Sequence, residues 1–321
     1  MKYQDIPGTD LHPSVISLGT ADFGSFIASS TAFQLLDAFI EQGGNFLDTA
    51  RVYAAWVPAG LGLSEKTVGQ WLKERGIREK VVLATKGAHY DFITHTPRVT
   101  RQDILADLEE SLRALQTESI DLYWLHRDDS QQPVAEILET LNEQVARGKI
   151  RFFGCSNWRV ERIAAALHYA TEHNLAGFVG DQCMWSLAVP NQEAIADPTL
   201  VVMDAPLFDF HQKTGLAAMA YTSQAHGFFT KASADPTSLS QRLQKTYGNA
   251  TNTGRLQRLQ RVSQELSLPI SVVALAYLTH QPFPTFPVTT FTSVGQLLES
   301  IQAGDVELRA DIVQYLEQNG G

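Results

Sequence analysis

Short apolar runs recur along the chain, and three of them stop on an ionisable residue. Phe46-Leu47 leads into Asp48, with a phenol close behind at Tyr53. Val81-Val82-Leu83-Ala84-Thr85 ends on Lys86, and Ile120-Asp121-Leu122-Tyr123-Trp124-Leu125 ends on His126. Each run reads as a buried strand that delivers a functional group just past its C-terminal end, where parallel α/β folds place their active sites. Trp124, inside the third run, reads as packing. Further strands are predicted over 16–20, 151–155, 178–183, 217–221 and 284–288.

The intervals between these runs carry helical spacing. Leu35, Leu36, Phe39 and Ile40 share one face, with Thr31 and Gln34 placed as a capping box and Gly43-Gly44 as the stop. Ser64 is placed to cap a helix carrying Val68, Trp71 and Leu72, and Thr100, with Asp103 behind it, to cap one running through Ile104, Leu108, Leu112 and Leu115. Pro133 opens the next, which stops at Gly148, and another is predicted over 160–169. Eight strands alternating with helices predict an α/β fold, the (β/α)8 TIM barrel, as one domain over 1–321. The turn signals Pro7-Gly8 and His12-Pro13 predict an N-terminal β-hairpin ahead of it. Residues 228–253 break the rhythm: they hold Lys231, Arg242 and Lys245, with Arg255 just beyond, and no clear core strand. That interval is expected to be a long loop covering a ligand.

Composition narrows the class. The chain has 321 residues, 44% hydrophobic and 19% charged, enough for a large core. No apolar run is long enough to span a bilayer and the N-terminus lacks a basic-then-apolar leader, so a soluble, cytoplasmic enzyme is expected. A net charge of -10 opposes general nucleic-acid affinity and leaves room for a local basic pocket around a phosphorylated ligand. Cys155 and Cys183 lie in apolar runs without metal-ligand spacing and read as buried free thiols.

Taken singly, each candidate has an ordinary alternative: an Asp after a strand caps a helix, a Lys at a strand end is surface charge, and a Tyr packs with a wet hydroxyl. The ordered set says more. Asn45-Phe46-Leu47-Asp48-Thr49-Ala50 with Tyr53, Ala84-Thr85-Lys86, Asp121 through His126, Gly148 through Arg151 leading into Gly154-Cys155-Ser156-Asn157-Trp158, and Gln182 before Trp185-Ser186-Leu187 resemble the aldo-keto reductases. The resemblance implies nicotinamide-dependent interconversion of a carbonyl and an alcohol, with Asp48, Tyr53, Lys86 and His126 as the catalytic four. The chemistry of those residues agrees with it. Hydride addition to a carbonyl carbon requires a proton at oxygen, and a phenol near pKa ~10 donates more readily beside an ammonium. Lys86 is expected to lower the Tyr53 pKa, Asp48 to hold Lys86 charged, and His126 to hydrogen-bond the substrate oxygen.

For the cofactor, the resemblance implies contacts from Gly19, Thr20 and Asp48, from Ser156, Asn157 and Gln182 around the nicotinamide carboxamide, and from Trp185 as the stacking ring. Tyr221-Thr222-Ser223-Gln224-Ala225 with Gly227 resembles the segment that wraps the pyrophosphate, with Thr222-Ser223-Gln224 where the family usually has Ser-Pro-Leu. Thr292, Gln296, Glu299 and Ser300 resemble the adenosine segment, although Thr292 stands where a basic residue for the 2'-phosphate is usual. NADP(H) is the expected cofactor, with a Lys or Arg of the long loop supplying the missing charge, and NAD(H) is the alternative. Phe23, Trp56, His89, Tyr90 and Trp158, together with His126, are expected to face a sugar-like or aromatic carbonyl. Two rival functions fit parts of the same pattern: a Schiff-base lyase or aldolase using Lys86 as nucleophile, and a regulatory subunit that senses cofactor.

Overall fold

Parallel pairing of eight short strands organises the molecule, seen in a computed structural model that describes residues 1–318. The strands are β1 (Ser17–Gly19), β2 (Phe46–Asp48), β3 (Val82–Gly87), β4 (Ile120–Leu125), β5 (Ile150–Ser156), β6 (Gly180–Met184), β7 (Ala217–Tyr221) and β8 (Thr285–Thr289). They follow one another around a closed barrel, with β8 returning to β1, so the expected TIM barrel is present. The last three residues of the domain expected over 1–321 lie outside the described residues. Helices α1 (Ser29–Glu41), α2 (Leu63–Arg75), α3 (Arg101–Leu115), α4 (Val134–Ala146), α5 (Val160–Glu172) and α6 (Ala205–Thr214) each follow one strand. Among the described residues no single helix is long and apolar enough to cross a membrane.

Period-two alternation divides β2, β3, β4 and β7 between two cores. Phe46, Val82, Ala84, Leu122, Trp124, Met219 and Phe286 fill the barrel, and Ile6 and Leu11 of the N-terminal segment join them. Leu47, Leu83, Tyr123 and Leu125 point the other way, into the larger layer between strands and helices. Lys86 continues the inward set of β3, and Asp48 that of β2. The barrel interior is tight enough to dictate sequence: a Cβ on Gly154 would sit 2.3 Å from the Trp124 ring. Cys155 and Cys183 are buried and free, as expected.

Several local expectations change. The N-terminal hairpin is held by a short ladder, Gln4 N to Pro13 O at 3.0 Å, Ile6 N to Leu11 O at 3.3 Å and Val15 N to Lys2 O at 3.0 Å, with one antiparallel bridge between Tyr3 and Ser14. Helix α1 begins earlier than the capping box at Thr31 and Gln34 would have it, with Ala28 at its N-cap and no side-chain cap. Ser64 does not cap α2 either; Gly62, in the left-handed region at φ 76°, occupies that place. Thr100 does cap α3, accepting from the Asp103 N–H. The greatest difference is over 228–253, which is helical and not a loop. It contains α7 (Phe228–Ala234), α8 (Gln241–Tyr247) and the start of α9 (Ala250–Leu266), followed by α10 (Ile270–Thr279) before β8. Buried Phe228, Phe229, Leu243, Tyr247, Leu259 and Val262 anchor this stretch to the outer core. Helices α11 (Val294–Ser300) and α12 (Ala310–Glu317) finish the chain.

Candidate active site

Three adjacent strands bring the catalytic candidates together. Asp48 ends β2, Lys86 is the last but one residue of β3, and His126 follows β4. Main-chain bonds carry the ladder beyond the strand ends, Thr49 N to Ala84 O at 3.0 Å, Arg51 N to Lys86 O at 2.9 Å and His126 N to Gly87 O at 2.8 Å, so the groups are held on rigid backbone. Lys86 is fully buried. Its Nζ donates to Asp48 Oδ2 at 2.5 Å, Thr49 O at 2.8 Å and the Tyr53 hydroxyl at 2.9 Å. Gln182 Nε2 donates to the other Asp48 oxygen at 3.0 Å, a role the sequence reading had not assigned to it.

The electrostatics follow from burial and from these partners. Burial by itself drives Lys86 toward neutrality, but the adjoining Asp48 carboxylate and Tyr53 phenol hold its pKa above the ordinary lysine value. Burial raises the Tyr53 pKa and outweighs the lowering by Lys86, so the net direction is upward and the expected lowering below an ordinary phenol is not realised here. The ammonium still stabilises the phenolate relative to the same burial without it. His126 is held well below its usual pKa by burial, then by Arg127, His89 and Lys86, and stays neutral at physiological pH. Its Nδ1 is buried without a partner among the described residues, which leaves Nε2 to face the cleft. His89 packs against it, ring centroids 4.7 Å apart, with its own pKa pushed down to about 4, first by burial and then by Arg127.

Tyr53 and His126 open onto a cleft of about 950 Å³ that runs from β4 and β5 round to α11. Gly19, Ser156, Asn157, Gln182 and Tyr221 line its inner part. Thr222, Ser223, Gln224 and Gly227 line the middle, and Thr292, Gln296, Glu299 and Ser300 the far end. Asn157 adopts φ 61°, a conformation Asn tolerates, and its Oδ1 accepts from the Tyr221 hydroxyl at 2.6 Å and Val201 N at 3.0 Å. Ser156 Oγ donates to Gln182 O at 2.8 Å. Gln224 Nε2 reaches Ser300 Oγ at 3.2 Å, and the Thr292 N–H and hydroxyl both donate to Gln296 Oε1. Such a long cleft, edged by amide and hydroxyl groups with a buried acid-base cluster at one end, suits a dinucleotide.

Other candidates lie elsewhere. Trp185 turns away from the cleft and packs on Phe208, Tyr277 and Phe283, whereas Tyr221 lines it. Phe23 and Trp158 are fully buried, Trp158 donating to Arg127 O at 3.2 Å, and neither faces the opening. Thr20 and Ala225 sit behind the wall, Thr20 Oγ1 donating to Asp48 O at 3.2 Å. Trp56 is 46% exposed beside Tyr53, ring centroids 6.3 Å apart, at the rim. The sequence reading missed Arg127, which lines the cleft while bonded to His126 O at 2.8 Å and Asp197 at 3.2 Å; its place directly after His126 was the available signal. Lys231 also lines the cleft, from the last turn of α7, and donates to His226 O at 2.9 Å.

Comparison with known proteins places this geometry in context. A model of the aldo/keto reductase family matches residues 15–319. The chain is 30% identical to the norsolorinic acid reductase stcV of Emericella nidulans, across 97% of this chain and 79% of that one. It is 27% identical to an aryl-alcohol dehydrogenase [NADP(+)] of Phanerodontia chrysosporium, across 97% of this chain and 83% of that one. Among solved structures, a thermostable aldo-keto reductase in complex with the inhibitor epalrestat superimposes with a TM-score of 0.73 over the whole of both chains, at 23% identity, and shares the fold.

Proposed function

The chain belongs to the aldo/keto reductase family and is an oxidoreductase that interconverts a carbonyl and an alcohol with a nicotinamide cofactor; from that premise we propose the role of each residue and a preference for NADP(H). When bound, the nicotinamide supplies the hydride. Tyr53 supplies the proton: its hydroxyl opens on the cleft with Lys86 Nζ 2.9 Å behind it, and this one contact carries the reading. In the alcohol-forming direction the O–H bond of Tyr53 breaks as the substrate oxygen gains the proton, and Lys86 stabilises the phenolate left behind. Asp48, fixed by Gln182, keeps Lys86 protonated and aimed. His126, neutral and with Nδ1 shut away, offers Nε2–H to the substrate oxygen and orients it.

Ser156, Asn157 and the free Oε1 of Gln182 suit a carboxamide, with Tyr221 as the stacking ring in place of Trp185. Thr292, Gln296, Glu299 and Ser300 suit the adenosine end. Lys231 is the group that supports NADP(H), because it brings a cation to the cleft that Thr292 does not provide. The exposed ring of Trp56 at the rim, and the relative named as an aryl-alcohol dehydrogenase [NADP(+)], favour an aromatic carbonyl over a sugar. The test is titration with NADPH and with NADH at fixed ionic strength, followed by turnover of aromatic aldehydes with wild type and Tyr53→Phe. Tighter binding of NADPH and loss of turnover in the variant are expected. Equal affinities would defeat the cofactor preference, and a Tyr53→Phe protein as fast as wild type would defeat the proton-donor assignment.

A further inference from the structure

The contacts among Asp48, Lys86 and Tyr53 survive only if the ends of β1, β2 and β3 stay fixed to one another. One dipeptide in the first turn of α2 touches all three. Ser64 Oγ donates to Thr20 O at 2.7 Å and lies 2.8 Å from Thr20 Oγ1 and 2.9 Å from Thr49 Oγ1. Glu65 Oε1 accepts from Thr85 Oγ1 at 2.6 Å. Thr20 follows β1, Thr49 directly follows Asp48, and Thr85 directly precedes Lys86. All five side chains are 0% exposed. Because side chains alternate across a strand, Lys86 enters the barrel while Thr85 faces the helices, so Glu65 grips the same strand from behind. Thr49 closes the loop by accepting Lys86 Nζ through its carbonyl at 2.8 Å.

We propose that Ser64 and Glu65 form a positioning clamp that sets the distance between the Lys86 ammonium and the Tyr53 phenol. The proposal rests on the roles given above to those two residues. A packing role alone does not account for a carboxyl in this place: it is fully buried, its neighbours there are the hydroxyls of Thr85 and Ser111, and taking it out of water costs stability that an apolar side chain would avoid. What the carboxyl provides is the bond to Thr85. The charged and titratable groups that bear on it are Arg51 after β2, Asp107 on α3, Arg98 paired with Asp107, and Tyr123 on β4. Burial lifts the Glu65 pKa to about 7, so the neutral acid is a major form and Gln is a fair replacement for it.

The experiment compares wild type with Glu65→Gln, Glu65→Leu and Thr85→Val, with Tyr53→Phe as a reference. Measured for each are kcat against pH at saturating cofactor and aromatic aldehyde, cofactor Kd, and thermal midpoint. Thr85→Val keeps the volume and so reports on the bond even if Glu65→Leu folds poorly. The phenol whose limb is followed faces Lys86, Asp48, Arg127 and the His126 ring. Expected are a loss of kcat of about tenfold in Glu65→Leu and Thr85→Val, cofactor Kd within about twofold, and recovery in Glu65→Gln. The alkaline limb of kcat should also move to higher pH in the two impaired variants, because the phenol has lost part of its ammonium. Lower midpoints with wild-type kcat and an unmoved limb would overturn the clamp, as would a Gln variant as slow as the Leu variant. If those results appear while Tyr53→Phe is inactive, only the clamp fails; if Tyr53→Phe is also fast, the assignments beneath it fail too.

Discussion

Replacing Lys86 by Met removes a cation whose Nζ lies 2.9 Å from the Tyr53 hydroxyl. The phenolate charge is shared between the oxygen and the ring, whose centroid lies 4.6 Å from Nζ, and two unit charges about 4 Å apart attract by about 4 kcal/mol at an effective dielectric of about 20. The phenolate exists only as its proton leaves, so a half-developed charge in the transition state would forfeit about 2 kcal/mol and a fully developed one about 4. At about 1.4 kcal/mol for each factor of ten, kcat should fall by roughly 30- to 1000-fold. The single variant carries a complication, since Asp48 would keep its buried charge with only Gln182 beside it, and breaking a buried pair commonly destabilises a fold by about 3–5 kcal/mol. Asp48→Asn/Lys86→Met removes both charges and should recover the fold without the rate. The assay is kcat for an aromatic aldehyde at saturating cofactor, with a solvent isotope effect to establish that proton transfer limits turnover, alongside urea denaturation. A double variant within about fivefold of wild type under that condition would refute the argument that Lys86 acts on the phenol.

Lys231→Ala should weaken NADPH binding by about tenfold, the loss of one charge-assisted contact, and leave NADH within about twofold; equal losses for both would remove Lys231 from the 2'-phosphate site. Tyr221→Ala should weaken nicotinamide binding more than Trp185→Phe, measured by the same titration, because only Tyr221 lines the cleft; the reverse order would restore Trp185 as the stacking ring. Two buried groups should give opposite pH dependences of stability. Glu65 has its pKa raised from 4.5 to about 7, so its contribution is full below 4.5 and lost as pH rises through 7, whereas His89, lowered from 6.5 to about 4, contributes above 6.5 and loses it as pH falls through 4. Denaturation at several pH values should show Glu65→Gln gaining roughly 3 kcal/mol relative to wild type between acid and neutral pH, and an unchanged difference would refute the shift.

Strands were legible because both of their faces are buried. A run such as Ala217 to Tyr221 has no solvent side to interrupt it, and the expected and observed limits coincide. Helix starts were less so. Ser64 has the residue type of a cap, but its hydroxyl is taken by Thr20 and Thr49, partners from other strands that local spacing does not reveal. The helices across 228–253 were missed because their buried positions are few and are separated by Pro236, Gly248 and polar turns, which resembles a loop when read by periodicity alone. Aromatic candidates failed for another reason. Phe23, Trp158 and Trp185 all follow strand ends, yet which way a ring turns there is decided by tertiary neighbours such as Phe178 and Phe283. The four catalytic candidates were legible together because Asp48, Lys86 and His126 stand at the ends of strands whose register the apolar pattern already specifies, with Tyr53 in the turn after the first of them.

The same geometry separates a reductase from a lyase on an identical scaffold. A Schiff base needs a neutral amine with its lone pair toward the incoming carbonyl. Lys86 meets neither requirement: Asp48, Thr49 and Tyr53 take one hydrogen bond each from its three donors, and its pKa is held above the ordinary value. It is fully buried and does not line the cleft, whereas Tyr53 and His126 do. A carbonyl entering there therefore meets the phenol and the imidazole, with the amine one layer behind. Borohydride added during incubation with an aromatic aldehyde should leave Lys86 unmodified by peptide mass analysis. A reduced adduct on Lys86 would mean that the ammonium leaves its three partners when substrate arrives, and the proton-donor mechanism would lose the cation on which it depends.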